Sequence, residues 1–165
     1  MILKKDKIKI IDNFLEKTDF KNLQNIILGD NFPWYFNDFK SDGVDIANYQ
    51  FTHTIIRNGQ VTSDFIRYID CFFKKINTTE FKRIKLNLTT RTEKIFNHKF
   101  HTDFKDCTTS IFYFNTTNGK TTFKTGEKVD CVENRMVTFN SNLEHAAMSH
   151  TNEKIRVVMN LNYLL

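Results

Sequence analysis

The stretch KFHTDF, residues 99–104, sets a histidine and an aspartate two positions apart, His101 and Asp103. On an extended strand, side chains at i and i+2 project to the same face. An imidazole and a carboxylate so placed can close on one cation while Thr102 points away. A third ligand has to come from the remaining histidines, His53, His98, His145 and His150. Two histidines and a carboxylate fill three positions on one side of a metal and leave three open, an arrangement suited to Fe(II) that handles dioxygen. Arg156 adds a second chemistry. If Asn152 and Glu153 centre a hairpin between the last two strand-like runs, residue 160 lies opposite 145. Arg156 then lies on the same face, roughly 13 Å further along at about 3.3 Å per residue. A guanidinium reaching back from there meets a carboxylate extending outward from the metal, in the bidentate geometry that arginine favours.

These residues need strands to hold them, and the second half of the chain is rich in them. From Phe81 onward eight short runs read as strands: RIKLNLTT, KFHTDF, TSIFYFNT, TTFKT, KVDCV, RMVTFN, HAAMS and IRVVMNLNYL. Turn signals such as TTNGK, TGEK and HTNEK separate them. Eight strands in close succession predict a mainly β fold, a double-stranded β-helix or jelly roll. In the first half, KIKIIDNF reads as a short strand and residues 17–28 as a helix with Phe20, Leu23, Ile26 and Ile27 on one side. Pro33 keeps the aromatic run FPWYF out of a sheet centre. FTHTIIR alternates as a strand before an NGQ turn, and Ser63 caps a helix predicted to run to about Ile76. The expected organisation is one domain, 1–165, with 1–80 as a bracing region of helices and strands and 81–165 as the jelly-roll core.

Composition narrows the function classes. The chain has 165 residues, 40% hydrophobic and 26% charged, with five Gly and one Pro, which leaves no room for a linker or a low-complexity tract. Lys and Arg give a net charge of +5 but are scattered, the densest runs being KKDK at 4–7 and KRIK at 82–85. That pattern reads as a solvated face rather than a nucleic-acid stripe. Cys71, Cys107 and Cys131 form no CxxC pair and suit a reducing compartment. No apolar h-region and no apolar run near 18 residues is present, so a cytoplasmic protein is expected, with Asn77, Asn87 and Asn115 as accidental sequons.

The order HTD, then His145, then Arg156, on a strand-rich half preceded by helices, resembles the Fe(II)/2-oxoglutarate-dependent oxygenase superfamily. Within it, the sequence is most similar to small prolyl-hydroxylase-like members of bacteria and of viruses of marine bacteria. The likeness covers about Phe81 to Tyr163 and rests on RIKLNL, FHTDF, IFYFNTTNG, NRMVTFNSN, His145 and EKIRVVMNLNY, with FPWYF upstream. The resemblance implies that His101, Asp103 and His145 hold Fe(II). It implies that Arg156 binds the distal carboxylate of 2-oxoglutarate with help from the Tyr113 phenol, and that Asn160 stands where some prolyl hydroxylases place a hydroxyl. Thr89 occupies a place where related enzymes often carry tyrosine, and RVV replaces an Arg-x-Ser pattern. The activity implied couples dioxygen use and decarboxylation of 2-oxoglutarate to succinate with hydroxylation of a substrate. A peptidyl proline or other protein side chain is favoured over a nucleic acid or a small metabolite.

The other candidates have plainer readings. His150 is expected near a hairpin tip in solvent, and His98 on an exposed loop. Trp34, Tyr35 and His53 are expected to line substrate access or simply to pack, and Asp38 and Asp42 to be surface charges. Two rival functions remain: a metal-binding jelly roll of the cupin-like or pseudoenzyme kind, which needs no carboxylate clamp, and a zinc hydrolase, whose base would have to be Glu144.

Overall fold

The computed structural model describes residues 7–38, 49–78 and 80–165. Asp42, most of the KKDK run and residues 39–48 of the expected access loop lie outside them. The first half is short elements. Strand β1 (Lys9–Ile11) leads into helix α1 (Lys17–Ile27), which buries Phe20, Leu23 and Ile27 at helical spacing. Strands β2 (Tyr35–Asn37) and β3 (Gln50–Arg57) pair with each other. An Asn58-Gly59 turn, both residues at positive φ, folds β3 back onto β4 (Gln60–Val61), the expected role of that dipeptide.

The helix predicted from Ser63 to Ile76 is broken in two. Ser63 caps as expected, its Oγ accepting from the Phe65 N–H at 3.2 Å, but the turn it starts is 3₁₀ (Asp64–Tyr68). Helix α2 (Asp70–Ile76) follows after Ile69. The tighter turn re-aims Phe65 onto Phe32 and His53, while Phe72 enters the centre against Phe14 and Phe112. Residues seven apart on one straight α-helix would share a face and could not serve both clusters.

Seven strands form in the second half: β5 (Phe81–Thr90), β6 (Thr108–Tyr113), β7 (Lys120–Phe123), β8 (Lys128–Asp130), β9 (Met136–Asn140), β10 (His145–Ala147) and β11 (Ile155–Tyr163). The eighth predicted run, KFHTDF, is not a strand. Its His101 makes a single antiparallel bridge to His145, and beyond it Asp103 turns toward Arg83 instead of continuing a ladder. The large sheet runs β1-β9-β6-β11-β5-β3-β2, with β4 added to β3, and the small sheet runs β10-β7-β8. This is the jelly roll expected from the sequence, braced by helices.

Alternation along β11 fixes the layers. Val157, Met159 and Leu161 pack with α1 and α2 on the outer face of the large sheet. Val158 joins Ile111, Tyr113, Phe123 and Phe139 between the two sheets. The expected hairpin between β10 and β11 is absent. His145 pairs with Phe123, and Asn160 pairs with Lys85 and Ile111, because residues 148–154 carry the chain from the small sheet to the large one. Among the described residues no helix is long and apolar enough to cross a membrane, and all three cysteines are free thiols.

Candidate metal centre

The bridge between His101 and His145 is reciprocal: each backbone N–H donates to the other's carbonyl at 3.0 Å. This pairing puts the two imidazoles side by side, ring centroids 4.7 Å apart. Each ring turns Nδ1 toward the carbonyl two residues back, Lys99 O and Leu143 O, both at 3.3 Å. Such contacts fix the ring and leave Nε2 for an ion. Asp103 completes the group, with Oδ1 at 3.8 Å from His101 Nε2. Among the described residues this is the one set of three His, Cys, Asp or Glu donors that could hold a metal, all within 4.8 Å of one another. Burial pushes the His145 imidazole down against the pull of Asp103 and so favours the neutral, ligating form.

A residue not anticipated from the sequence holds the carboxylate. Arg83 Nη2 lies 2.7 Å from Asp103 Oδ2, and its Nε donates to Asn162 Oδ1 at 3.0 Å. Asn162, fully buried, donates to Thr109 Oγ1 at 2.9 Å. The network occupies Oδ2 and turns Oδ1 to the histidines. Burial by itself would raise the Asp103 carboxyl, but Arg83, then His145, outweigh it and hold it below the usual carboxylate range. One signal did lie in the sequence. In RIKLNL the polar residues Arg83, Lys85 and Asn87 alternate with Ile84, Leu86 and Leu88, so a strand buried on its apolar face turns a polar face inward.

Arg156, 5% exposed, shares a cavity of about 90 Å³ with His101, His145, Val158 and Asn160. The two strands carrying Arg156 and His145 lie in opposite sheets, and facing sheets bring them together where a hairpin was expected to. Arg156 Nε and Asn160 Oδ1 are buried without hydrogen-bond partners among the described residues, a costly arrangement unless a ligand completes it. An unsatisfied Arg156 Nε–H beside a His-Asp-His set fits a metal-chelating acid with a second carboxylate, whereas Asn160 Oδ1 is an acceptor and needs a donor from another group. Tyr113 stands behind: its ring lies 5.7 Å from the guanidinium carbon, and its hydroxyl bonds Thr121 Oγ1 at 2.7 Å. Burial, only partly offset by Arg156, pushes the phenol up to about 12.

The remaining candidates fall elsewhere. His53 is buried on the helix side of β3, with Nδ1 at 2.8 Å from Pro33 O and Nε2 at 2.7 Å from Ser63 Oγ, so it does not reach the centre. Trp34 packs against the outer core beside Phe32. Tyr35 is exposed on β2, the strand whose Asn37 lines the outer cleft. His150 is fully buried, not solvated, because the crossover to the large sheet passes through the interior. His98 is half-buried and lines the cleft beside His101. Asp38 is exposed, as expected. Glu144 pairs with Lys124 at 2.6 Å on the surface, which removes the base a zinc hydrolase would need.

Comparison with known proteins agrees at the level of fold. No protein-family model matches the sequence, and no curated protein does. Among solved structures, the chain is similar to a prolyl hydroxylase from Trichoplax adhaerens in complex with a hypoxia-inducible-factor peptide, at 16% identity and a TM-score of 0.68, covering 95% of this chain and 83% of that one. The α-ketoglutarate-dependent epimerase SnoN of nogalamycin biosynthesis superposes with a TM-score of 0.70 at 12% identity, covering 97% and 79%. The viral collagen prolyl hydroxylase of Paramecium Bursaria Chlorella virus-1 gives 0.56 at 11%, covering 96% and 90%. The shared property at such identities is the jelly-roll fold.

Proposed function

We propose that this protein is an Fe(II)- and 2-oxoglutarate-dependent oxygenase that hydroxylates a substrate, with a protein side chain, peptidyl proline first, as the favoured target. The observation that carries the reading is the buried, unpaired Arg156 Nε in the same cavity as His101 and His145. A jelly roll that only binds metal has no use for such a clamp. When bound, Fe(II) and 2-oxoglutarate supply the activation of dioxygen and the decarboxylation that drives hydroxylation. The chain supplies the rest. His101, Asp103 and His145 ligate the ion. Arg156 anchors the far carboxylate of the co-substrate, Tyr113 supports the guanidinium with its ring face, and Ile111 and Val158 keep water from that end. Asn160 offers a polar contact between the two ends.

The test is anaerobic. Fe(II) followed by 2-oxoglutarate is expected to give the visible charge-transfer band of a keto-acid chelate. The band is lost in His145→Ala, and in Arg156→Met it needs roughly 100-fold more 2-oxoglutarate, the cost of a buried ion pair at about 1.4 kcal/mol per tenfold. Tight metal binding with no band at any 2-oxoglutarate concentration would replace the oxygenase by a metal-binding module.

A further inference from the structure

A second, larger space opens beside the metal centre. It measures about 380 Å³ and shares His101, Asp103 and Asn160 with the centre. Its walls carry several polar side chains: Asn37 and Gln50 from β2 and β3, Arg83, Lys85 and Asn87 from β5, and His98. An aliphatic substrate alone would waste such a lining, since each amide and cation it covers loses water without gaining a partner.

Among the described residues, the charges in this cleft do not balance. Arg83 is committed to Asp103 and Asn162. Lys85, one same-face step further along β5, has no ion pair or hydrogen bond with any described residue. Burial, then Arg83 and Arg57, disfavour its ammonium, and the already paired Asp103 is the one described charge that supports it. Lys85 lies opposite Asn160 on β11, so it is held on the inner face by the central ladder of the large sheet. Same-face residues on a strand are about 7 Å apart. An anion on Lys85 is therefore held within a few bonds of the ion that Asp103 would ligate.

Resting on the oxygenase reading, we infer that the primary substrate carries a carboxylate that pairs with Lys85, with the amides of Gln50 and Asn87 as further hydrogen-bonding partners. One uncompensated ammonium suits a singly charged carboxylate better than a doubly charged phosphate. The carboxylate can belong to an acidic residue of a peptide or to a free acid, and the experiment separates the two.

Protein loaded anaerobically with Fe(II) and 2-oxoglutarate is titrated with two matched pairs of probes. The peptide pair is acetyl-Pro-Asp-amide against acetyl-Pro-Asn-amide, and the small-acid pair is N-acetylproline against N-acetylprolinamide. Binding is read by calorimetry and by the shift of the chelate band. The acid of at least one pair is expected to bind on the order of tenfold tighter than its neutral twin, as for a partly desolvated ion pair. Lys85→Met erases that preference and Lys85→Arg keeps part of it. The pair showing the preference identifies the source. Equal binding of both members of both pairs, no binding by any probe at millimolar concentration, or a preference that survives Lys85→Met overturns the assignment. So does a Lys85→Met protein that has also lost 2-oxoglutarate, which would make Lys85 a co-substrate ligand. If no chelate band forms at all, the oxygenase reading is what fails, and the same titrations on metal-loaded protein still decide the role of Lys85.

Discussion

Arg83 and Tyr113 show how much of the candidate centre lies behind the donors. Arg83 touches the outer oxygen of Asp103, and its planar fork also holds Asn162. Replacing it with methionine keeps the bulk but frees the carboxylate to rotate, so metal affinity is expected to fall about tenfold, the lower end for residues that orient a ligand. Arg83→Lys returns the charge without the fork and recovers part of that loss; titration with Mn(II) followed by paramagnetic broadening reads both. Tyr113 gives a pH test. Its phenol titrates near 10 when unfolded and is pushed up to about 12 in the fold, chiefly by burial. Folding therefore favours the protonated form. The stability this confers is complete below pH 10 and is lost as pH rises toward 12, an expected decline of roughly 2–3 kcal/mol. Urea denaturation at stepped alkaline pH should show it, with a flatter limb in Tyr113→Phe. His101 and Asp103 were marked as candidates in the sequence by their two-residue spacing, although the strand assumed to aim them does not form and a turn toward Arg83 aims Asp103 instead. Arg83 was not, since its partner is 20 positions away and only the facing of two sheets joins them.

At the scale of elements, the least legible feature is the joint between the bracing region and the core. Asn134, buried and left-handed at φ 58°, sits in the turn between β8 and β9. Its side chain accepts from the Leu15 N–H and donates to the Leu15 carbonyl, both at 2.9 Å. Nothing in the local sequence of either segment announces a contact spanning 119 residues. Asn134→Ala removes both bonds, strands two buried backbone groups and places an alanine where its Cβ is strained. The expected cost is about 2–4 kcal/mol, measured as a lower urea midpoint, with earlier exchange of the α1 amides. Strand runs with strong alternation, such as RIKLNLTT and IRVVMNLNYL, became β5 and β11 close to their predicted bounds. KFHTDF failed as a strand because its pairing partner, β10, is only three residues long, so that the edge away from β7 supports a single bridge at His101 before Asp103 turns to Arg83.

For the whole molecule, the donors bind the two sheets together. His145 belongs to the small sheet, and Asp103 is tied through Arg83 and Asn162 to strands β5 and β11 of the large one. An ion held by all three donors therefore exists only when the sheets are docked. At a metal concentration about 100 times Kd, linkage predicts a gain of about 2.7 kcal/mol, or roughly 5–10 °C in Tm for a chain of this size. Differential scanning fluorimetry with Mn(II) and then a chelator tests it: the rise should reverse on chelation and be absent in His145→Ala.

The topology also bears on how the chain is made. Strand β11 lies between β5 and β6 near the middle of the large sheet, and it follows every other strand in sequence. During synthesis β5 and β6 therefore emerge with their inner edges unmatched, and they wait while about forty more residues are added between Tyr113 and Ile155. No nascent chain that stops short of β11 can own the cavity of Arg156, because the residue that defines it arrives with the strand that fills the gap between β5 and β6. A nascent chain stalled before Ile155 is thus expected to depend on chaperones, and insertion of β11 is the event that turns two open edges into a continuous sheet.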